Sequence, residues 1–205
     1  MTKPDLTRRA ALAGGFGLLG TPALAAAPRF KPEPDDMALG DPRARVTVVE
    51  YASVGCPHCA HWHKEVFAAF KAKYIDTHRV RFVVRECLTG NPDIAGAGFL
   101  LARCAGPAKY FSVIDQVYRR QEEIFASGTV LREIAVGAGM TDAAYTACMS
   151  NQQALDAVQA RADRHVNVDK VNSTPTFEIN GQRFESFMSL ADLDTAIAAA
   201  SRRGR

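Results

Sequence analysis

The sequence predicts an α/β fold in which a central mixed sheet flanked by helices is interrupted by an all-α helical insertion. Three observations carry this: a strand, helix, strand succession between residues 46 and 85, an alanine-rich helical block over 91–165, and a return of β pattern after residue 173. At 205 residues, with 47% hydrophobic and 23% charged, the chain suits one well-packed domain carrying an insertion. That composition argues against a disordered chain and against a multi-span membrane protein.

Residues 1–27 stand apart from the fold. Arg8 and Arg9 precede the apolar run Ala10–Leu19, which ends near Pro22 and the small-residue pattern Ala23-Leu24-Ala25. This is the layout of a cleaved export signal, with cleavage after Ala25 as first choice and after Ala27 as second. Thr7-Arg8-Arg9-Ala10-Ala11-Leu12, followed by Gly14, Gly15, Gly17 and Gly20, is closer to a twin-arginine signal than to an ordinary secretory one. A membrane anchor fits less well, because the apolar run is short and broken by glycine. Removing residues 1–27 takes away Lys3, Arg8, Arg9 and Asp5 and lowers the net charge from +3 to +1. That balance gives no reason to expect nucleic acid or an anionic membrane surface as a partner. Arg202, Arg203 and Arg205 read as a solvated tail.

Residues 28–37, with Pro28, Pro32 and Pro34, lack apolar periodicity and read as an extended linker. Val46-Thr47-Val48-Val49-Glu50-Tyr51 is β-branched and mostly apolar, a strand buried on both faces that leads toward Cys56. From Pro57 the pattern is helical, with Trp62, Val66, Phe67, Phe70 and Tyr74 on one stripe, ending near Asp76-Thr77-His78. Val80–Arg85 reads as a second buried strand, which completes the unit of a parallel sheet.

Asn91-Pro92-Asp93 opens the helical block, in which three to five helices are expected. Pro107 fits a first turn, Gly128 and Gly137-Ala138-Gly139 are stops, and Thr141-Asp142 is a cap. After Ser173-Thr174-Pro175, Thr176–Asn180 and Gln182–Glu185 flank Asn180-Gly181, a strong hairpin signal. A last helix begins at Ser189, with Asp192 three residues on in a capping-box-like start, and buries Leu190, Leu193, Ile197 and Ala200. Two discontinuous segments, 38–90 and 166–205, thus form one α/β domain around the 91–165 insertion.

Five cysteines in an exported chain leave one over if the others pair. Cys56-Pro57-His58-Cys59, where a strand meets a helix, is the signature of a dithiol redox site. Cys56 at the helix start faces free backbone N–H groups and the positive end of the helix dipole, which favours thiolate. Cys59 lies on the same face one turn deeper, within disulfide reach. The dipole cannot act alone. A shift from ~8.5 to the ~3.5 of the strongest oxidants is worth roughly 7 kcal/mol, whereas a helix terminus supplies at most ~2 kcal/mol. Hydrogen bonds to the sulfur and a nearby positive group must supply the rest, and His58 is placed to be that group.

Two rival readings use the same residues. A structural staple is disfavoured by the strain of so short a bridge. Zinc on Cys56, Cys59, His61 and His63 is disfavoured because positions 61 and 63 face different sides of a helix and no second ligand pair with finger spacing follows. His61 and His63 then read as surface or partly packed residues. Glu50, six residues before Cys56 in an apolar strand, needs a partner or a use. Either it accepts the Cys59 proton through water, with Arg85 as counter-charge, or it sits at the strand edge and reaches solvent.

Val48-Val49-Glu50-Tyr51-Ala52-Ser53 leading into Cys56-Pro57-His58-Cys59, then a helical block, then Ser173-Thr174-Pro175-Thr176-Phe177 and a ββα unit, resembles the DsbA-like thiol:disulfide oxidoreductases of the bacterial periplasm. The resemblance covers about 38–200. It implies a thioredoxin-like fold, a catalytic disulfide at Cys56 and Cys59 with no other cofactor and no metal, and a cis Thr174-Pro175 bond facing it. Pro175 blocks further strand pairing beside the sulfurs, and the Thr174 backbone is left to pair with an extended substrate. It further implies thiol-bearing exported proteins as substrates and a membrane redox partner for re-oxidation.

Similar proteins often carry a cysteine pair in the helical domain, which implies a structural Cys104–Cys148 disulfide worth on the order of 4 kcal/mol in the chain-entropy model. Two buried free thiols are the alternative. Cys87 reads as a small buried hydrophobe. Beside an oxidase, a reductase or isomerase with the same site remains, as does a metal-binding or chaperone-like module.

Overall fold

The computed structural model describes residues 30–203, so the export signal expected over 1–27 and Arg205 of the basic tail lie outside the described residues. At the centre of the sheet is β2 (Val46–Ala52), buried along its whole length. β3 (Val80–Glu86) pairs with it in parallel, as the helical crossover between them requires. β1 (Met37–Leu39) lies antiparallel on β3, and the hairpin of β4 (Thr176–Ile179) and β5 (Gln182–Phe184) lies on the other side of β2. The strand order is β1-β3-β2-β4-β5. Asn180 and Gly181 turn the hairpin at φ 48° and 87°, left-handed values that Asn-Gly reaches at low cost.

Met37, assigned to the linker by sequence, is the first residue of β1. The stretch before it is also held, since Glu33 and Asp36 lie 3.3 and 3.1 Å from the Arg85 guanidinium. Ion pairs to a strand some fifty residues away leave no periodicity in the sequence of the segment they hold.

The crossover runs through α1 (Pro57–Trp62), a π-helical turn (His63–Phe67), α2 (Ala68–Phe70) and a second π-helical turn (Lys71–Ile75) without a break. Trp62 is fully buried among Phe67, Phe70, Phe82 and Phe177, and its Nε1 donates to the Met188 carbonyl at 2.9 Å. That bond satisfies the one polar atom an indole brings into a core.

The insertion has six helices, α3 (Pro92–Cys104), α4 (Tyr110–Arg119), α5 (Gln121–Ala126), α6 (Val130–Gly137), α7 (Asp142–Met149) and α8 (Gln152–Asn167). Three to five were expected. The break between α4 and α5 is one residue, Arg120 at φ −102° and ψ 17°, and carries no glycine or proline to announce it. It turns Gln121 inward, where Nε2 donates to the Val54 carbonyl at 2.8 Å. Pro107 lies in the turn before α4 rather than in its first turn. Thr141 caps α7, its Oγ1 accepting from the Ala144 N–H at 3.1 Å. α9 (Leu190–Arg203) closes the chain, capped reciprocally by Ser189 and Asp192.

Two devices tie the insertion together and to the sheet. Glu86, buried at the end of β3, accepts from Arg103 Nε at 2.6 Å, Arg161 Nε at 2.8 Å and Tyr110 Oη at 3.0 Å. Cys104 and Cys148 are bonded to each other, joining α3 to α7.

Candidate active site

Cys56 is the N-cap residue of α1 and Pro57 its first helical residue. Proline suits that position because its φ is preset and the N–H it lacks would be unpaired anyway. Glycines bring the loop into place. A Cβ at Gly55 would sit 2.2 Å from the Asn91 carbonyl oxygen, and one at Gly90 2.3 Å from that of Gly55, so the two backbones meet as closely as they do only because both are glycine. Ser53 adds a strut, with Oγ donating to the Thr89 carbonyl at 2.8 Å.

Cys56 and Cys59 are free thiols, Cys59 wholly buried and Cys56 open only at 6% of its surface. The Cys56 Sγ lies 3.5 Å from the carbonyl oxygen of Thr174, whose peptide bond to Pro175 is cis. The Cys56 thiol is lowered to about 5. The Cys59 thiol beside it is the main cause, and the Thr174 hydroxyl and the backbone N–H groups of Cys59 and His58 add to it against the opposing effect of burial. Cys59 is pushed well above the ordinary thiol value, first by burial and then by Cys56 and Glu50. One thiol is therefore a ready nucleophile at neutral pH and the other stays protonated. His58 is exposed, and among the described residues its imidazole has no hydrogen-bond partner. What it brings to the Cys56 sulfur here is its backbone N–H.

Glu50 is fully buried, which excludes the solvent-reaching alternative. Arg85 is not its counter-charge. The parallel register sets Glu50 beside Val84 and Tyr51 beside Arg85, and successive residues of a strand face opposite sides. Arg85 thus serves the other face, where Nη1 donates to Tyr51 Oη at 2.8 Å and lies 3.6 Å from Asp169. The partner of Glu50 is His63, with Nε2 3.0 Å from Oε2. His63 is buried, contrary to the expectation of a surface or partly packed residue. The sequence held a usable signal: His63 precedes Phe67, Phe70 and Tyr74 by four, seven and eleven residues, which places it on their apolar stripe.

The zinc alternative loses its ligand set, because His63 faces Glu50 while His61 packs near the exposed Phe187 ring, 5.4 Å between centroids. Ligand atoms of Glu33, His165 and Asp169 do lie within 4.8 Å of one another. Arg85 and Arg164 already pair with those carboxylates, so a cation there would meet two guanidinium groups. Cys87 is fully buried beside Val49, Val83 and Val171 and its thiol is pushed up to about 12, chiefly by burial.

One thiol primed at a helix terminus, a second buried behind it and a cis-proline loop across from both define a dithiol protein of the thioredoxin class. The chain belongs to the thioredoxin family, whose model matches residues 32–199. A Rickettsia typhi protein provisionally named a protein-disulfide oxidoreductase is 32% identical over 175 residues, or 83% of this chain. This chain spans 64% of the length of that relative. Among solved structures, Wolbachia pipientis α-DsbA1 is similar with TM-score 0.75 and 23% identity, covering 84% of this chain and 94% of that one. A protein-disulfide isomerase from Novosphingobium aromaticivorans is similar with TM-score 0.66 and 24% identity, covering 83% and 98%. The fold is DsbA-like.

Proposed function

We propose that the chain is a thiol:disulfide oxidoreductase that introduces disulfide bonds into exported proteins through Cys56 and Cys59. The observation that carries this reading is the asymmetry of the two thiols, about 5 for Cys56 against a raised value for the buried Cys59. A stabilised thiolate favours the reduced form, so the disulfide form is a strong oxidant.

A substrate thiolate attacks Cys56 Sγ, the Cys56–Cys59 bond breaks, and Cys59 leaves with the bonding electrons and takes a proton. A second substrate thiolate then attacks the substrate sulfur of the mixed disulfide and releases Cys56 as thiolate. The substrate is oxidised by two electrons and the enzyme disulfide is reduced. Pro57 and His58 tune the thiolate through the helix start, and Glu50 exchanges the proton of Cys59. The Thr174 and Pro175 backbone receives an extended substrate segment. The Cys56–Cys59 pair is itself the redox group of the reaction, and Cys104–Cys148 is structural.

The expected twin-arginine signal supports a periplasmic location, and the DsbA-like resemblance supports a membrane protein as the re-oxidant. No helix among the described residues is long and apolar enough to cross a membrane. The test is to mix the oxidised protein with a reduced, unfolded two-cysteine substrate in equal amounts. Substrate disulfide should form as enzyme thiols appear, and Cys56→Ser should abolish both. Absence of exchange in the unmutated protein contradicts the reading.

A further inference from the structure

We propose that His63 is a positioning residue for disulfide opening and closing: it orients the Glu50 carboxylate so that the Glu50–His63 pair gives a proton to Cys59 when the disulfide opens and takes it back on closure. This rests on the thiol-exchange reading and adds a residue to it.

The geometry is that of a fixed pair. His63 Nε2 lies 3.0 Å from Glu50 Oε2, and both side chains are essentially without solvent contact. The imidazole is clamped by stacking on Tyr118, 4.1 Å between centroids and 18° between planes, and by the Trp62 edge at 5.1 Å. It cannot turn away without breaking the core. Three further polar atoms of this cluster, Glu50 Oε1, His63 Nδ1 and Tyr118 Oη, are buried without a hydrogen-bond partner among the described residues. Such atoms are rare in a native core. Three of them together beneath a reacting sulfur suit groups that exchange protons, and packing alone would favour apolar residues there.

The chemistry requires such a group. When substrate attack breaks the Cys56–Cys59 bond, the sulfur of Cys59 holds the bonding electron pair in a fully buried position. A proton from the pair neutralises it, and on closure Cys59 returns that proton as its sulfur attacks Cys56 and expels the substrate thiolate. Cys59 of α1 is near enough for the Glu50 carboxylate to raise its thiol, and Tyr118 of α4 stacks on His63, with Tyr110 at the start of that helix. Burial first, and then the charges of Cys59, Glu50, Tyr110 and Cys56, raise the Tyr118 phenol. β3 and β4 place only Val84 and Phe177 beside Glu50, and Arg85 lies on the opposite face.

The experiment follows the reduced protein after rapid mixing with glutathione disulfide, which separates attack by Cys56 from ring closure by Cys59, across the pH range. His63→Gln should slow closure about tenfold or more at neutral pH and displace its pH profile, while attack by Cys56 stays unchanged. The double variant Glu50→Gln/His63→Gln should close no more slowly than Glu50→Gln alone, because His63 acts through Glu50. A folded His63→Gln with the unmutated closing rate and profile overturns the proposal. Should His63→Gln fail to fold, Glu50→Gln keeps the shape of the side chain and removes the carboxylate through which His63 acts. Slower closure in it supports the proposal, and unchanged closure overturns it. Failure of the thiol-exchange reading itself shows separately, as no attack by Cys56 in the unmutated protein.

Discussion

The sulfur of Cys56 lies 3.5 Å from the carbonyl oxygen of Thr174, a residue 118 positions later in the chain. The Thr174 hydroxyl, which lowers the Cys56 thiol, lies 2.5 Å from Thr89 Oγ1. Two distant segments thus hold that hydroxyl near the sulfur.

Thr174→Val removes that hydroxyl and keeps the shape. A hydrogen bond to a charged group is worth about 1.5–3 kcal/mol, so the Cys56 pKa should rise by roughly one to two units. Titrating the ultraviolet absorbance of the thiolate measures it. A value still near 5 would show that the hydroxyl does not act on the sulfur.

The lowered thiol also sets a pH dependence. Cys56 is depressed in the folded reduced protein to about 5 from an ordinary value of ~8.5. Its stabilising contribution is therefore complete above the ordinary value, shrinks as pH falls toward 5, and is absent below it. Cys59, raised in the fold, takes stability away once pH exceeds the ordinary value. Melting temperatures of the reduced form relative to the disulfide form should climb from pH 5 to a maximum near ~8.5. A flat difference would contradict the thiolate.

Glu86→Ala leaves Arg161 and Tyr110 with no acceptor where the insertion meets the sheet, and Arg103 with the Asp35 carbonyl alone. Breaking a buried charged network by removing one partner costs about 3–5 kcal/mol. Urea unfolding should show that loss, and a change under about 1 kcal/mol would place the anchor elsewhere.

The Cys104–Cys148 bond closes a loop with a sequence separation of 44, which in the chain-entropy model stabilises by about 4 kcal/mol. Cys104→Ala/Cys148→Ala should lose an amount of that order while the potential of Cys56–Cys59 stays in place. Unfolding midpoints equal to those of the unmutated chain would refute a structural role.

Long apolar runs made the sheet core legible in the sequence: β2, β3 and the Asn180-Gly181 hairpin fall where their patterns put them. β1 escaped because a three-residue edge strand carries no periodicity. The α4/α5 break escaped because Arg120 is an ordinary helix residue. The redox pair was legible because Cys56 and Cys59 carry their spacing and their place at a helix start in a few residues. The partner of Glu50 was not, because it depends on register: a one-residue difference in parity sends Arg85 to the wrong face and leaves His63, on the apolar stripe of the crossover helix, to meet the carboxylate. Gly55, Gly90 and Thr89 act by close approach to distant segments, which no local pattern records.

The central claim is that stabilisation of the Cys56 thiolate makes this pair an oxidant. The reduction potential of Cys56–Cys59, measured by equilibration with glutathione at neutral pH, tests it most directly. The expected value lies toward the ~−120 mV of strongly oxidising dithiol proteins. A value near ~−270 mV, where reductases of this class lie, would contradict it.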